Sequence, residues 1–220
     1  MAKIPRPAKP PPRTFAVMNN RTHWNQVYHT KTAEQMSWTQ DVPHISLDFI
    51  DALHVPTNAR IIDIGGGDSR LVDYLLEKGY ADLTVLDISE EALDRAKVRL
   101  GDKAHLVKWI VSDITEFRPE HPYDLWHDRA TFHFLTTVPQ VSTYMAIAGG
   151  NIPQGGYLIV GTFSQNGPTQ CSGLPVRQYD EADLTQVIGT QFNKMICISE
   201  DHITPFNTLQ NFLFCSFKRA

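Results

Sequence analysis

The chain has 220 residues, 42% hydrophobic and 20% charged, with a formal net charge of −4. That length is expected to give one domain, or one with a small appendage, and it suffices to bury a sizeable core. No run approaches eighteen apolar residues and no apolar leader opens the chain, which argues against a membrane span or a secretory leader.

Residues 1–13 hold Lys3, Arg6, Lys9 and Arg13 with no acid, so the remaining chain carries −8. Nucleic-acid backbone rewards clustered positive charge, and a body this acidic does not favour it as a partner. The same segment contains Pro5, Pro7, Pro10, Pro11 and Pro12 and reads as a disordered basic leader. Residues 14–54 read as an N-terminal helical cap. Trp24 and Tyr28 are four apart and share a helix face, and Leu47, Ile50 and Leu53 repeat helically before Pro56.

A strand is expected over residues 60–64, then a helix over 69–78 stopped by Gly79, then a second strand over 83–86. Ser89 is placed to cap the next helix, which runs to about Leu100. A third strand is expected over 104–110 and a fourth over 123–127. Residues 131–145 read as mainly helical, with Pro139 arguing against an unbroken helix. Gly155 and Gly156 turn the chain into a fifth strand over 157–163. A helix over 180–188 and strands over 192–199 and 210–218 complete the pattern. Alternating strands and helices predict an α/β protein, a three-layer sandwich with a mostly parallel sheet between helices. The helix-free final pair predicts that the last strand enters antiparallel.

The most informative motif is Asp63-Ile64-Gly65-Gly66-Gly67-Asp68, directly after the first strand, with Asp87 ending the second. The glycines let backbone approach a ligand, and the spacing to Asp87 suits an acid reaching a ribose. A dinucleotide fingerprint would carry a third glycine where Arg70 stands. Asp63 would repel a pyrophosphate and attract an ammonium. A ligand with a sugar, a base and an amino-acid end fits better than one with two phosphates.

Together with Ser112-Asp113-Ile114 and Gly155-Gly156-Tyr157-Leu158-Ile159, these motifs resemble those of class I S-adenosylmethionine-dependent methyltransferases. The resemblance covers about residues 55–218. It implies a Rossmann-like, seven-stranded domain over 55–220 that binds S-adenosyl-L-methionine and releases S-adenosylhomocysteine. It further implies that Gly65, Gly66 and Gly67 contact the methionine part, with Asp63 beside its ammonium. Asp87 would bind the ribose hydroxyls, Ile88 would pack on the adenine, Asp113 would meet the adenine amino group, and Ile114 would lie close to the base. His127 is a further candidate cofactor contact. Trp24, Tyr28 and Trp38 of the cap are expected to close over adenine or substrate.

The segment after strand four faces the methyl donor in this family. Enzymes acting on adenine or glutamine amides often carry Asn/Asp-Pro-Pro-Tyr there, whereas this chain has His127-Asp128-Arg129-Ala130, which weighs against such substrates. His127 and His133 are candidate bases, since histidine titrates near neutrality. Arg129 is a candidate for holding an anionic group, or for an ion pair with Asp128. The connection 163–179 is long and suits a pocket wall, with Cys171 as an unreactive lining residue. Cys171, Cys197 and Cys215 are odd in number and widely spaced, which argues against a disulfide framework or a zinc site and for a reducing cytoplasm. No metal is expected. The expected activity is methyl transfer to a small-molecule nucleophile. The alternative is protein-lysine methylation, since residues 24–38 and 127–134 faintly resemble lysine methyltransferases of the same fold. A non-enzymatic cofactor-binding module ranks last, and the oligomeric state is left open.

Overall fold

A computed structural model describes residues 20–220. The basic leader over 1–13, and the start of the cap over 14–19, lie outside the described residues. The helices are α1 (Asn20–Thr30), α2 (His44–Leu53), α3 (Leu71–Glu77), α4 (Glu90–Leu100), α5 (Val138–Asn151) and α6 (Glu181–Ile188). The strands are β1 (Arg60–Ile64), β2 (Asp82–Asp87), β3 (Val107–Val111), β4 (Leu125–Arg129), β5 (Tyr157–Phe163), β6 (Gln170–Cys171), β7 (Leu174–Pro175), β8 (Phe192–Ile203) and β9 (Leu209–Arg219).

Seven strands form one sheet in the order β3-β2-β1-β4-β5-β9-β8, and β6 and β7 form a separate small ribbon. The strands β1 to β5 pair in parallel, as strand–helix–strand crossovers require. The last strand, β9, runs antiparallel to both β5 and β8. This is the Rossmann-like, mostly parallel architecture with an antiparallel last strand that the sequence predicts.

Side chains alternate across a strand, so β4 divides its residues between the two faces of the sheet. Trp126 joins the apolar core packed beneath α5 and α6, and Leu125 joins the core on the opposite face. His127 and Arg129 share the Leu125 side, and Asp128 shares the Trp126 side. Asp128 and Arg129 therefore point apart, and no ion pair forms between them. Asp128 is fully buried and accepts hydrogen bonds from Thr131 N (3.2 Å), Phe132 N (3.0 Å) and Tyr144 Oη (2.8 Å). It fastens the turn that follows β4 to α5.

Several boundaries differ from the sequence reading for identifiable reasons. The fourth strand is displaced to 125–129, because buried polar residues at its C-terminal end conceal it. Pro139 lies in the first turn of α5, where a missing N–H costs nothing, so the helix starts at Val138. The preceding residues form only a single 3-10 turn over Phe132–Phe134. Residues Gly101–Leu106 form another such turn, which delays the third strand to Val107.

The cysteine expectation needs correcting. Cys197 and Cys215 lie directly opposite each other in the β8–β9 register and form a disulfide. They stand 18 positions apart in sequence, and only the hairpin register makes them neighbours. The expectation of a reducing compartment, which rested on unpaired cysteines, loses that support. Cys171 is free and buried. Among the described residues no helix is long and apolar enough to cross a membrane.

Candidate active site

A cavity of about 780 Å³ lies at the carboxyl ends of the parallel strands. This is where open α/β sheets place their ligands, because strand order reverses between β1 and β4 and leaves a crevice. Its volume falls within the range of small-molecule sites.

The glycine turn forms one wall. Gly65 N and Gly66 N donate to Leu86 O at 2.7 and 3.2 Å, which bends the chain across the end of β2. Gly65 has φ +63°, and a Cβ there would stand 1.7 Å from Thr131 Oγ1. A Cβ on Gly66 would meet Asp63 Oδ2 at 2.5 Å and Val85 Cγ1 at 2.7 Å. Both positions need glycine because the backbone is pressed against its neighbours. Gly67 lies behind this wall, off the cavity lining, where Tyr28 Oη and Asp87 Oδ2 approach it.

Acids surround the turn. Asp63 is 5% exposed, and its Oδ1 lies 2.7 Å from His127 Nδ1. The other ring nitrogen of His127, Nε2, lies 2.9 Å from Ser46 Oγ of α2. A buried serine–histidine–aspartate chain thus ties the cap helix to the acid before the glycines. Asp87 is also buried, and its Oδ1 accepts from Ser89 N at 2.7 Å. Burial raises its carboxyl to about 7, with the nearby negative charges of Asp68 and Asp63 adding to the rise. Asp113 spends Oδ1 on Thr115 N (2.8 Å) and Thr115 Oγ1 (2.7 Å), leaving Oδ2 for a ligand. Ile88 and Ile114 complete this end of the lining.

The cap roofs the cavity. Trp24, Tyr28 and Trp38 form an aromatic group with ring centroids 5.8 to 6.5 Å apart, and all three line the cavity. Two arginines of α4 hold this arrangement. Arg95 donates to Tyr28 O and to Lys31 O, and its Nη1 lies 3.6 Å from Asp68 Oδ2. Arg99 donates to Asp68 O and Ser69 O and pairs with Asp73 at 2.8 Å. Sequence reading missed both arginines. Their signal was weak, because charges on an amphipathic helix ordinarily face solvent.

The far wall is built from Arg129, Phe134, Phe163, Cys171 and His202. Sequence reading also missed His202, which comes from the end of β8 and binds Ser37 O at 2.7 Å. His133, a candidate base, does not line the cavity. It is fully buried, stacks on Phe163 at 4.3 Å, and receives the Phe163 N–H at 3.4 Å. Burial and the charge of Arg129 push it down to about 3, so it is neutral near pH 7. Burial likewise pushes the Cys171 thiol up to about 11.

A parallel sheet with acids at the tips of β1 and β2 and just beyond β3, ringing a glycine turn, defines an α/β protein built to hold a nucleoside-bearing ligand. Comparison with known proteins narrows this further. Residues 61–151 match the family model described as a methyltransferase domain. A malonyl-[acyl-carrier protein] O-methyltransferase from Anoxybacillus flavithermus is 38% identical over 88 residues, covering 39% of this chain and 33% of that protein. The eEF1A lysine and N-terminal methyltransferase of Mus musculus is 23% identical over 159 residues, covering 68% of this chain and 22% of that protein. The aligned segments thus span a third or less of these curated relatives. Among solved structures, 1,6-didemethyltoxoflavin-N1-methyltransferase of Burkholderia thailandensis, with bound 1,6-didemethyltoxoflavin and S-adenosylhomocysteine, superposes with a TM-score of 0.68 at 20% identity. That superposition covers 100% of this chain and 94% of the other, and it speaks for the fold. Residues 61–151 are thus similar to methyltransferase domains, and the fold is that of solved S-adenosylmethionine-dependent methyltransferases.

Proposed function

We propose that the protein transfers a methyl group from S-adenosyl-L-methionine to a small-molecule nucleophile, leaving S-adenosylhomocysteine. The observation that carries this reading is the single roofed cavity that joins the acid-and-glycine cradle to a far wall of aromatic and polar side chains. Bound there, the donor supplies an electrophilic methyl on a sulfonium. Asp63 would face its ammonium, Asp87 its ribose hydroxyls and Asp113 its adenine amino group. Ile88 and Ile114 would pack on the base. The cradle fits this group, since Gly65 and Gly66 present side-chain-free backbone on the cavity lining and the buried Asp87 carboxylate gains hydrogen-bond donors from a ribose.

The remaining work is alignment and exclusion of water. His127 has both ring nitrogens engaged, so we assign it to positioning Asp63 rather than to accepting a proton. His202 has Nε2 on Ser37 O and Nδ1 beside Gln40 Nε2. A neutral, enclosed His133 and an un-ionised Cys171 are poor bases. The acceptor therefore arrives with its lone pair available, and the roof of Trp24 and Trp38 keeps water from competing for the methyl.

Titration calorimetry with S-adenosylhomocysteine, followed by labelled donor with a panel of small acids, amines and thiols, tests this. Label in protein alone, with none in a small molecule, would replace it with the second reading of protein-lysine methylation. The long alignment with the eEF1A methyltransferase favours that alternative.

A further inference from the structure

Of the arginines that line the cavity, Arg70 is exposed to solvent, whereas Arg129 is shielded and its partners are incomplete. Arg95 and Arg99 spend their guanidinium groups on backbone carbonyls and acids. Arg129 donates only from Nη1, to Trp38 O at 2.9 Å. Its Nε and Nη2 are shielded from solvent and have no hydrogen-bond partner. These two nitrogens share one edge of the planar guanidinium, and their N–H bonds run parallel. That edge matches the two oxygens of a carboxylate.

Among the described residues, no acid forms a direct ion pair with this charge. The guanidinium lies 5.0 Å from the centroid of the Phe212 ring. The nearest acids in electrostatic effect are Glu200 and Asp63. Asp63 Oδ1 is committed to His127. Glu200 does not line the cavity, and its Oε2 is itself shielded and without a partner. Burial lowers Arg129 to about 10, which still leaves it cationic at neutral pH. A buried charge without a directly bonded counter-ion is costly to keep, and a ligand that supplies one recovers part of that cost on binding. Thr39, one residue beyond the carbonyl that Arg129 holds, also lines the cavity with an unpartnered, shielded Oγ1. Phe134 and Phe163 supply apolar surface on the same wall.

We propose that the methyl acceptor carries a carboxylate and that the Nε–Nη2 edge of Arg129 reads it. This rests on the methyl-transfer reading and names the substrate class for the same cavity.

The test uses the full chain loaded with S-adenosylhomocysteine and titrated with benzoate and phenylacetate against benzamide and phenylacetamide. The acids are expected to bind at least about tenfold more tightly than the amides, the usual worth of a charge-assisted fork. Arg129→Gln should abolish that preference while S-adenosylhomocysteine affinity stays within about threefold. Arg129→Lys, which keeps the charge and loses the fork, should fall between, and it serves if the glutamine variant does not fold. Glu200→Gln should leave the preference unchanged. Equal binding of acids and amides, or no binding of the acids, overturns the proposal. So does an acid preference that survives Arg129→Gln. A gain of about tenfold or more in Glu200→Gln would identify Glu200 as the resident counter-ion and overturn it as well. Failure of wild type to bind S-adenosylhomocysteine would instead defeat the methyl-transfer reading.

Discussion

With Asp87 in its proposed place at the ribose, donor binding is expected to depend on pH. In the donor-free protein, burial and two nearby acids hold its carboxyl at about 7, far above the usual aspartate range. In the proposed site, ribose hydroxyls would donate hydrogen bonds to the ionised form, so donor binding would select carboxylate over acid. Below the donor-free pKa a proton must leave before the donor binds, and apparent affinity falls as pH falls. The apparent Kd scales roughly as one plus the ratio of protonated to ionised Asp87, about 2 at pH 7 and about 30 near pH 5.5. Affinity should therefore drop about 15-fold across that interval, or about 1.6 kcal/mol. The donor's ammonium, with a pKa near about 7.7, stays charged over most of that range and contributes little to the slope. Calorimetric titration of wild type and Asp87→Asn with S-adenosylhomocysteine measures it. The asparagine variant should bind more weakly near neutrality and lose most of the pH dependence. A flat wild-type profile, or an equal slope in the variant, would refute the reasoning. The same raised pKa acts oppositely on folding. Its stabilising contribution is fully present below the unfolded aspartate pKa and is lost as pH rises through about 7. Donor-free Asp87→Asn should consequently melt higher than wild type near pH 8, by calorimetry.

Other expected outcomes follow from single contacts. Asp128→Ala removes the acceptor of two backbone N–H groups and of Tyr144 Oη inside the core, and should cost about 2–4 kcal/mol in urea unfolding. A loss below about 0.5 kcal/mol would show that the turn after β4 does not depend on it. His127→Ala should weaken S-adenosylhomocysteine binding by releasing Asp63, whereas a base would lower kcat with donor affinity unchanged. Arg95→Ala frees the end of α1 from the cavity and should speed hydrogen exchange across Tyr28–Lys31. Unchanged exchange there would show that Arg95 does not hold the cap.

Sequence alone carried the order of strands and helices, because a period of two and a period near four are local patterns. The acid-and-glycine end of the cavity was legible for a related reason. Its acids and glycines sit at or just beyond strand ends, and a parallel sheet with right-handed crossovers brings those ends together. Asp63, Gly65, Gly66, Asp87, Ile88, Asp113 and Ile114 accordingly line one cavity. The segment after β4 was readable as chemically rich but not by role. His127, Asp128 and Arg129 are consecutive, yet strand alternation sends Asp128 into a hydrogen-bond network beneath α5 and the other two toward the cavity.

What tertiary structure decided depends on distance along the chain. Ser46 meets His127 across 81 residues, Arg95 reaches Tyr28 across 67, and His202 reaches Ser37 across 165. Cys197 and Cys215 are paired by hairpin register, which spacing in sequence does not specify. Burial is likewise collective. It turns His133 from a candidate base into a neutral core ring, and it leaves two Arg129 donors without partners. Local pattern determined that this chain is a parallel α/β protein with acids and glycines gathered at its strand ends. The character of the acceptor wall was decided by packing, because desolvation depends on every neighbour at once.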